Sequence, residues 1–271
     1  MLGTTRVRDC QNPDTLVPGP IMRQHAAVPP QLQHALKSDA WFAGAPAALQ
    51  DELLMLGRMT ELSHGEHLFE RGDAAEGLCC VTAGALRVGS LQADGTESLL
   101  AYVEPYQWFG EISLIDGQPR THDAVADGDT TVLVVAHAPL QAWLHAHPAH
   151  WQHVAQLACA KLRLLFTVLE DIAHLPIEAR LAKRLWMVAH GYGARSGEPR
   201  RQVRLPQEQL ALMMGVTRQS VNKALRALEE RGWISLRYGA IELLDLAALG
   251  GRTGDYDTTQ RPSSGRSIEK P

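Results

Sequence analysis

Residues 207–232 read QEQLALMMGVTRQSVNKALRALEERG. This stretch predicts a helix over Gln207–Met214, a tight turn at residues 215–217, and a second helix from Arg218 to Arg231. Thr217 supplies the N-cap that the second helix needs. Two short helices joined in this way are typical of a helix-turn-helix. Three residues meet the packing needs of this motif. Ala211 is small where the two helices approach each other, Gly215 permits the backbone of the turn, and the branched Val221 packs between the helices.

The outer face of the second predicted helix carries long hydrogen-bond donors and amides. Arginine binds guanine through two hydrogen bonds, glutamine and asparagine do the same with adenine, and lysine and arginine neutralise phosphate. The first carboxylate on this helix is Glu229, near the end that would leave a DNA groove. The pattern predicts that the helix reads the major groove of double-stranded DNA through Thr217, Arg218, Gln219, Ser220, Asn222, Lys223 and Arg226.

The residues after Gly232 predict a β-hairpin. Two runs with β propensity, residues 233–237 and 241–244, flank a Tyr238-Gly239 turn. A hairpin in this place is the wing of a winged helix-turn-helix, and we assign that domain to residues 176–248. The remaining residues, 249–271, are expected to form a disordered tail.

Charge is distributed unevenly along the chain. The net charge is -4, which argues against a uniformly nucleic-acid-binding protein. Residues 178–240, however, contain 12 Lys and Arg against 5 Asp and Glu, whereas the rest of the chain contains 14 against 25. A basic end joined to an acidic remainder is typical of a DNA-binding module attached to a non-binding one. A basic face that meets only solvent is the alternative.

The N-terminal half contains short β-rich runs separated by turns rich in glycine and aspartate. The runs are residues 78–81, 85–91, 98–103 and 131–136. Their spacing predicts a small antiparallel, jelly-roll-like β-barrel within residues 36–147, preceded by a short helical pattern. Residues 1–35 are rich in proline and lack periodicity, so we expect a flexible arm there. The whole chain is therefore expected to be an α+β protein.

A long helix is predicted from about residue 148 to residue 173. An apolar seam at heptad spacing along it favours dimerisation through residues 148–175, which also include a hinge. The alternative is a stripe that packs on the chain's own barrel. A helix of about 26 residues spans about 39 Å, which is longer than a small barrel covers. The seam consists of Trp151, Ala155, Ala158, Leu162, Leu165, Leu169 and Ile172.

Several classes of protein are disfavoured. No apolar stretch approaches the roughly 20 residues that span a bilayer, so we expect a cytoplasmic protein without a membrane partner. No nucleophile–base pair, catalytic metal triad or phosphate-binding Walker loop points to an enzyme. The four cysteines lack the spacing of a metal site, and four histidines near one helix start, His145, His147, His150 and His153, favour a solvated surface over a metal site. An adaptor that uses only the coiled coil would not need the basic face at residues 218–226.

One segment has the chemistry of an anion-binding site. A short helix that begins near Gly110 and Glu111 would offer backbone N–H groups of residues 110–113 to an anion. Arg120 would add a charge-assisted contact and Thr121 a hydroxyl group. The alternative is an internal Glu111–Arg120 salt bridge that only holds the segment together. The candidate set is Gly110, Glu111, Ile112, Ser113, Arg120 and Thr121.

From about Trp41 to Asp245 the chain resembles the Crp-Fnr family of bacterial transcription regulators. Residues 109–114, FGEISL, and residues 119–121, PRT, are similar to the phosphate-binding cassette of cyclic-nucleotide-binding domains, and residues 217–221, TRQSV, are similar to the family's recognition helix. The resemblance implies a homodimer that binds palindromic DNA, RNA polymerase as a further partner, and a small effector in the barrel. In cyclic-nucleotide binders, the glutamate at the position of Glu111 accepts a ribose hydroxyl.

The chain departs from that pattern in two places. His122 and Asp123 follow the cassette arginine where family members have a small residue at the second position. Leu165 and Phe166 stand where cyclic AMP responders carry a Thr-Ser pair that contacts adenine across the dimer. Three alternatives therefore stay open: the site binds a cyclic nucleotide, it binds another small anion, or it is degenerate and the protein is always active. We expect neither an iron–sulfur cluster nor haem. The family members that bind a cluster have several cysteines near the N-terminus, whereas this chain has only Cys10 there.

Overall fold

The computed structural model describes residues 24–25, 28–91, 97–193, 195 and 198–251. The strands are β1 (Gln24–His25), β2 (Gly57–Leu62), β3 (His67–Phe69), β4 (Gly77–Ala83), β5 (Leu86–Leu91), β6 (Glu97–Val103), β7 (Trp108–Phe109), β8 (Asp123–Ala126), β9 (Thr130–Ala136), β10 (Gln202–Val203), β11 (Ile234–Arg237) and β12 (Ala240–Leu243). The α-helices are α1 (Pro30–Leu36), α2 (Ala40–Gly44), α3 (Ala47–Leu56), α4 (Glu111–Asp116), α5 (His137–Ala146), α6 (Trp151–His174), α7 (Ile177–Ala189), α8 (Gln207–Met214), α9 (Arg218–Glu230) and α10 (Leu246–Gly250).

Residues 24–25 and the described residues from 28 to 147 form the barrel unit. Its two antiparallel sheets have the strand orders β1-β2-β9-β4-β7 and β3-β8-β5-β6. Residues of both sheets share one apolar core, which includes Val81, Leu86, Phe109 and Val132. Along β9, buried and half-buried residues alternate over much of its length, as in a strand with one face toward the core. The antiparallel barrel expected within the α+β fold is confirmed.

The N-terminal boundary differs from the expectation. Part of the segment expected to be a flexible arm, residues 1–35, is ordered: Pro29 precedes α1, and Val28 and Leu36 are buried in the barrel unit's second apolar cluster. Proline at the first helical position favours a helix start, which is why a proline-rich segment is ordered here. The expectation for residues 1–23, 26 and 27 lies outside the described residues.

The long helix α6 has two different faces. Near its N-terminal end, Val154 and Leu157 are buried in the barrel unit's core. Further along, Leu162, Leu169 and Ile172 are about half exposed on the other face. The alternative of a stripe that packs on the chain's own barrel therefore holds for the first part of α6, whereas dimerisation through the uncovered apolar row stays a prediction.

Residues 177–251 form the helix-turn-helix unit. Helix α7 packs against α9 and α10, and α8 packs against α9. The β11–β12 hairpin predicted as a wing is present, and β10 extends it to three strands in the order β10-β12-β11. The expectation of a disordered tail is wrong for residues 249 and 250, because Leu249 is buried and belongs to α10. The expectation of disorder for residues 252–271 lies outside the described residues.

Candidate effector and DNA-binding sites

The anion-binding cassette predicted at residues 109–114 forms a sharp turn from β7 into α4. Gly110 is the N-cap of α4 and has a φ of 93°, a backbone conformation that L side chains rarely adopt. A Cβ atom at this residue would lie 2.7 Å from Arg120 Nη1 and 2.8 Å from the Gly77 carbonyl oxygen. Glycine is therefore required by both conformation and space, and the turn brings α4 close to Arg120.

Arg120 is only 4% exposed and binds backbone carbonyl groups of its own protomer. Its Nη2 donates to the Gly77 carbonyl at 2.8 Å and its Nη1 to the Gly110 carbonyl at 3.5 Å. The guanidinium lies 4.2 Å from the centre of the Phe69 ring, a distance at which a cation is attracted to the ring face. Its buried Nε has no hydrogen-bond partner among the described residues. A buried donor in this condition is suited to an added acceptor such as an anion oxygen.

Glu111 is 2% exposed and pairs with the long helix. Its carboxylate accepts a hydrogen bond from Lys161 Nζ on α6 at 2.7 Å. The alternative of an internal Glu111–Arg120 salt bridge is therefore wrong, since the two residues have different partners. Lys161 was not among the predicted site residues. The amino acid sequence gives little sign of it, because the two partners lie 50 residues apart and Lys161 stands outside the apolar seam.

The two residues that depart from the cassette pattern have local roles. His122 Nδ1 lies 2.9 Å from the Thr121 hydroxyl oxygen, so the predicted anion-binding hydroxyl already has a partner. Asp123 accepts a hydrogen bond from the backbone N–H of Arg71 at 2.7 Å. The Asp123 carboxylate thus holds the turn at residues 70–73, which Asp73 N closes by donating to the Glu70 carbonyl at 3.1 Å. Burial lowers the pKa of His122 below its usual range, with a further contribution from Arg71, so the imidazole tends to stay neutral.

The structure brings part of the predicted effector set together. Gly110, Glu111 and Ser113 lie in the turn and first residues of α4, while Ile112, on the same helix, is about half exposed. Leu165 and Phe166 lie one helical turn beyond Lys161 on α6 and are 43% and 55% exposed. Within one protomer these two side chains therefore stay open to solvent.

The predicted recognition helix presents its polar residues to solvent. The Thr217 hydroxyl accepts from Ser220 N at 3.1 Å and so caps α9. Val221, Ala224 and Leu225 point into the core of the helix-turn-helix unit, and Gly215 takes the left-handed turn conformation with a φ of 62°. Thr217 is itself exposed. On the opposite face, four more of the predicted DNA-contacting residues are exposed, and Asn222 and Ser220 are half-buried. The exposed four are Arg218, Gln219, Lys223 and Arg226.

The wing is fixed to the recognition helix. Glu229, near the end of α9, accepts a hydrogen bond from Leu236 N in β11 at 2.7 Å. Tyr238 lies fully exposed at the tip of the hairpin, beside Arg237. Neither wing residue was among the predicted DNA contacts, and Arg237 is paired with Glu242 within the hairpin.

The predicted dimer seam is exposed for most of its length. Leu162, Leu165, Leu169 and Ile172 are exposed, as is Ala155, and Ala158 is half-buried. Trp151 is different, since it is half-buried against the barrel unit's core and approaches His145. The first turn of α6 therefore lies on the barrel unit, and a place for Trp151 in the dimer interface stays a prediction.

No group of three His, Cys, Asp or Glu residues is placed to bind a metal ion in the described part of the chain. His147 and His150 instead stack on Trp143, with ring centroids 4.4 Å and 4.8 Å away. Cys10, the one cysteine considered for an iron–sulfur cluster, lies outside the described residues. Among the described helices, none is long and apolar enough to cross a membrane.

Two family descriptions match the chain in separate segments. The cyclic nucleotide-binding domain matches residues 59–147, and the Crp-like helix-turn-helix domain matches residues 179–251. These segments correspond to the barrel unit with its cassette and to the helix-turn-helix unit. The match supports the division of the molecule into a nucleotide-binding fold and a DNA-binding fold.

Curated relatives and solved structures agree with this division. The chain is 29% identical over 209 residues to a CRP-like cAMP-activated global transcriptional regulator of Mycobacterium tuberculosis, covering 77% of this chain and 92% of that protein. It is 30% identical over 186 residues to the cyclic AMP receptor protein of Thermus thermophilus, covering 68% and 83%. A solved CRP-family regulator of Thermus thermophilus superposes with a TM-score of 0.52 at 27% identity, over 70% of this chain and 93% of the other. The chain belongs to the Crp-Fnr family, a family of DNA-binding transcription regulators and not of enzymes.

Proposed function

We propose that this regulator acts in the cytoplasm as a homodimer, binds palindromic DNA through α9, and is controlled by a small anionic effector in the barrel unit, with a cyclic nucleotide as the first candidate. RNA polymerase is the further partner that this role implies. One observation carries the proposal: the same chain has an exposed recognition face on α9 and a buried arginine, Arg120, in the cassette.

The DNA-binding part of the proposal rests on the exposed face of α9. Arg218, Gln219 and Lys223 project from its first two turns, and Arg226 follows one turn later. Thr217 caps the helix and leaves Ser220 and Asn222 at the edge of the same face. Side chains at the N-terminal end of a recognition helix are the ones that reach base edges in the major groove. We assign base contacts to Arg218 and Gln219, and phosphate contacts to Lys223 and Arg226.

The dimer part rests on the uncovered row of α6. Four large apolar side chains, Leu162, Leu165, Leu169 and Ile172, are each more than two-fifths exposed along one face. A second copy of the same helix would cover this row at heptad spacing. Two-fold symmetry would then present two recognition helices to successive major grooves, about 34 Å apart along the DNA.

The effector part rests on the cassette. The residues that would bind an anion are Arg120 and the backbone N–H groups near Gly110, and Glu111 would accept a hydroxyl group of the same ligand. In this structure, Arg120 donates to Gly77 and Gly110, and Glu111 accepts from Lys161. A ligand must therefore replace some of these contacts, while Arg120 Nε offers it a donor that no group of the described residues satisfies. The relatives named cAMP-activated or cyclic AMP receptor make a cyclic nucleotide the first candidate to test.

Selection of binding sites from random duplex DNA by the full chain tests the proposal. We expect an enriched inverted repeat whose half-sites are separated by about one helical turn. Arg218→Ala should lose the motif, whereas Glu61→Gln, a change on the barrel unit, should return the wild-type motif. Failure to enrich any motif, or enrichment of a single half-site without symmetry, would contradict the proposed mode of DNA binding.

A further inference from the structure

A tight turn at residues 104–107, Glu-Pro-Tyr-Gln, connects β6 to β7 directly before the cassette. Two hydrogen bonds close it: Gln107 N donates to the Glu104 carbonyl at 3.3 Å, and Glu104 N donates to Gln107 Oε1 at 2.9 Å. A third bond, from Tyr106 N to the Val81 carbonyl at 2.7 Å, fastens it to β4. Tyr106 has a φ of 71°, which is uncommon for a residue other than glycine. The turn is thus a fixed element of the barrel unit, three residues from Gly110.

Both polar side chains at the ends of this turn contact the helix-turn-helix unit. Glu104 forms an ion pair with Arg200, and both side chains are largely buried. Gln107 Nε2 donates to the Gly191 carbonyl at 3.2 Å, directly after α7. Arg200 is in turn held by its backbone, since Arg200 N donates to the Ala189 carbonyl at 2.9 Å. The turn therefore contacts both ends of the connection between α7 and β10.

Apolar packing joins the same two units beside the turn. Leu99, on β6, is 4% exposed and belongs to the apolar core of the helix-turn-helix unit, with Tyr102 packed against that core. The Tyr102 hydroxyl donates to Asp127 at 2.7 Å, which anchors the ring to the barrel unit. Helix α8 is the part of the helix-turn-helix unit that packs on β6. The contact is therefore a continuous interface and not a single ion pair.

This interface leaves the recognition face open. The barrel unit covers α8, while Arg218, Gln219 and Lys223 on α9 remain exposed. An arrangement in which α8 packs on the barrel unit and the polar face of α9 stays accessible is suited to DNA binding. A unit released from the interface would sample many orientations. Its apparent affinity for DNA would then be its intrinsic affinity multiplied by the fraction of time that it spends in the suitable orientation.

We propose that the 104–107 turn docks the helix-turn-helix unit on the barrel unit of the same protomer, in the orientation that binds DNA, and thereby couples the cassette to the recognition helix without passing through α6. This inference rests on the proposed DNA binding. Because the turn joins β7, a shift of the cassette would move Glu104 and Gln107, and with them the connection between α7 and β10.

The test uses the full chain and two nearly isosteric changes on the barrel unit, Glu104→Gln and Gln107→Glu. The first removes the charge that holds Arg200, and the second replaces the N–H donor to Gly191 by a carboxylate while keeping an acceptor for Glu104 N. We expect each variant to bind the selected DNA site at least about fivefold more weakly, since the docked orientation becomes less populated. Glu70→Gln removes an exposed carboxylate elsewhere on the barrel unit and should bind DNA as the wild type does.

Hydrogen exchange supplies a readout that does not depend on DNA. The Arg200 amide and its neighbours in the α7–β10 connection should exchange faster in Glu104→Gln and Gln107→Glu, while amides within α9 keep their protection. Unchanged exchange in that connection, or DNA binding as tight as that of the wild type, would overturn the inference. Lack of DNA binding by the wild-type chain itself would instead overturn the proposed function. The hydrogen-exchange result alone would then decide whether the turn docks the helix-turn-helix unit.

Discussion

Asp39 is a charged residue buried where the barrel unit meets the helix-turn-helix unit. It is 2% exposed, and its backbone forms an antiparallel bridge with Arg195. One carboxylate oxygen accepts from Phe42 N at 2.8 Å and caps α2, whereas the other is buried without a hydrogen-bond partner among the described residues. Burial raises the pKa of Asp39 to about 7, against the opposing effect of the backbone N–H groups that it accepts from.

The raised pKa of Asp39 predicts a dependence of stability on pH. Between about pH 4 and pH 7 the folded chain holds a proton that the unfolded chain has lost, so the stability of the wild type falls progressively across this window and this residue's contribution is fully lost above about pH 7. Asp39→Asn keeps the cap and cannot ionise. We expect the variant to be more stable than the wild type at pH 8, by an amount that grows by up to about 1.4 kcal/mol per pH unit across this window. Urea unfolding at pH 5 and pH 8 checks this, and an equal difference at both pH values would contradict it.

Gln219 offers a second prediction about a single side chain. It is exposed beside Arg218 at the start of α9. An amide both donates and accepts, and so favours adenine, whereas a carboxylate only accepts and favours cytosine. We expect Gln219→Glu to move the preference at one base pair of the half-site toward cytosine by about 1–3 kcal/mol. Site selection with both proteins measures this change.

Lys223→Ala is the matched comparison for Gln219→Glu. If Lys223 contacts phosphate, its loss should weaken all sites alike and reduce the dependence of binding on salt, without changing the preferred sequence. The same selected motif from wild type and Gln219→Glu would show that Gln219 does not read a base.

Single residues differ in how far the sequence predicts their roles. Thr217, Gly215 and Val221 were predictable because a cap, a turn and a helix-packing residue are set by neighbours within a few positions. Lys161 was not, since its partner Glu111 lies on another element. Arg120 is intermediate: its place beside the cassette followed from the sequence, but its donation to the Gly77 carbonyl depends on how β4 packs.

Among the secondary-structure elements, α6 shows why one apolar pattern can have two uses. Val154 and Leu157 anchor its first half in the barrel unit, and the exposed row that includes Leu162 and Leu169 follows in the second half. The Asp171–Lys183 ion pair, at 2.6 Å, then ties the end of α6 to α7. The helix thus has a fixed position on its own protomer and an uncovered face beyond it.

Charged residues in that uncovered row should prevent dimerisation. We expect Leu162→Glu combined with Leu169→Glu to give a monomer, because paired copies would bring four carboxylates into an apolar seam. The fold of each protomer should persist, since both residues are exposed in the single chain. Light scattering measures the mass, and circular dichroism checks the fold. Arg163→Glu, an exposed change on the same helix outside the seam, is the control, and a dimer in the double variant would contradict the seam.

Long elements were easier to predict than short ones for a physical reason. The helices α6 and α9 repeat their apolar spacing over several turns, so the period is visible. Strands β7 and β8 have only two and four residues, too few for an alternating pattern to stand out. Strand β2 follows α3 without an intervening loop, so that Gly57, the C-cap of α3, is already the first residue of the strand. Their pairing with distant strands, such as β2 with β9, is what stabilises them.

In the whole molecule, contacts between separate elements connect the cassette, the long helix α6 and the helix-turn-helix unit. Lys161 joins α6 to the cassette, Asp171 joins α6 to α7, and the 104–107 turn joins the barrel unit to the helix-turn-helix unit. The uneven charge along the chain followed from the sequence, and so did the order of the domains. The contacts did not, because Lys161–Glu111 and Arg200–Glu104 join residues 50 and 96 positions apart, and Asp171–Lys183 depends on how α7 is placed after α6.

The identity of the effector is a property of the assembled molecule, and cyclic AMP is expected to bind weakly. Its phosphate must compete with the Gly77 and Gly110 carbonyls for Arg120, and its ribose must compete with Lys161 for Glu111. Its adenine would meet Leu165 and Phe166, which offer no hydrogen bond where each unsatisfied polar group costs about 1–3 kcal/mol.

Calorimetry with the full chain should therefore give a dissociation constant for cyclic AMP in the micromolar range or weaker, since tenfold in affinity corresponds to about 1.4 kcal/mol. The variant that combines Leu165→Thr with Phe166→Ser supplies hydroxyl groups and should bind cyclic AMP at least about tenfold more tightly. Leu165 lies in the apolar row of α6, so light scattering on this variant must first show an unchanged mass. Submicromolar binding by the wild type, or no gain in a dimeric variant, would show that these two residues do not limit recognition of adenine.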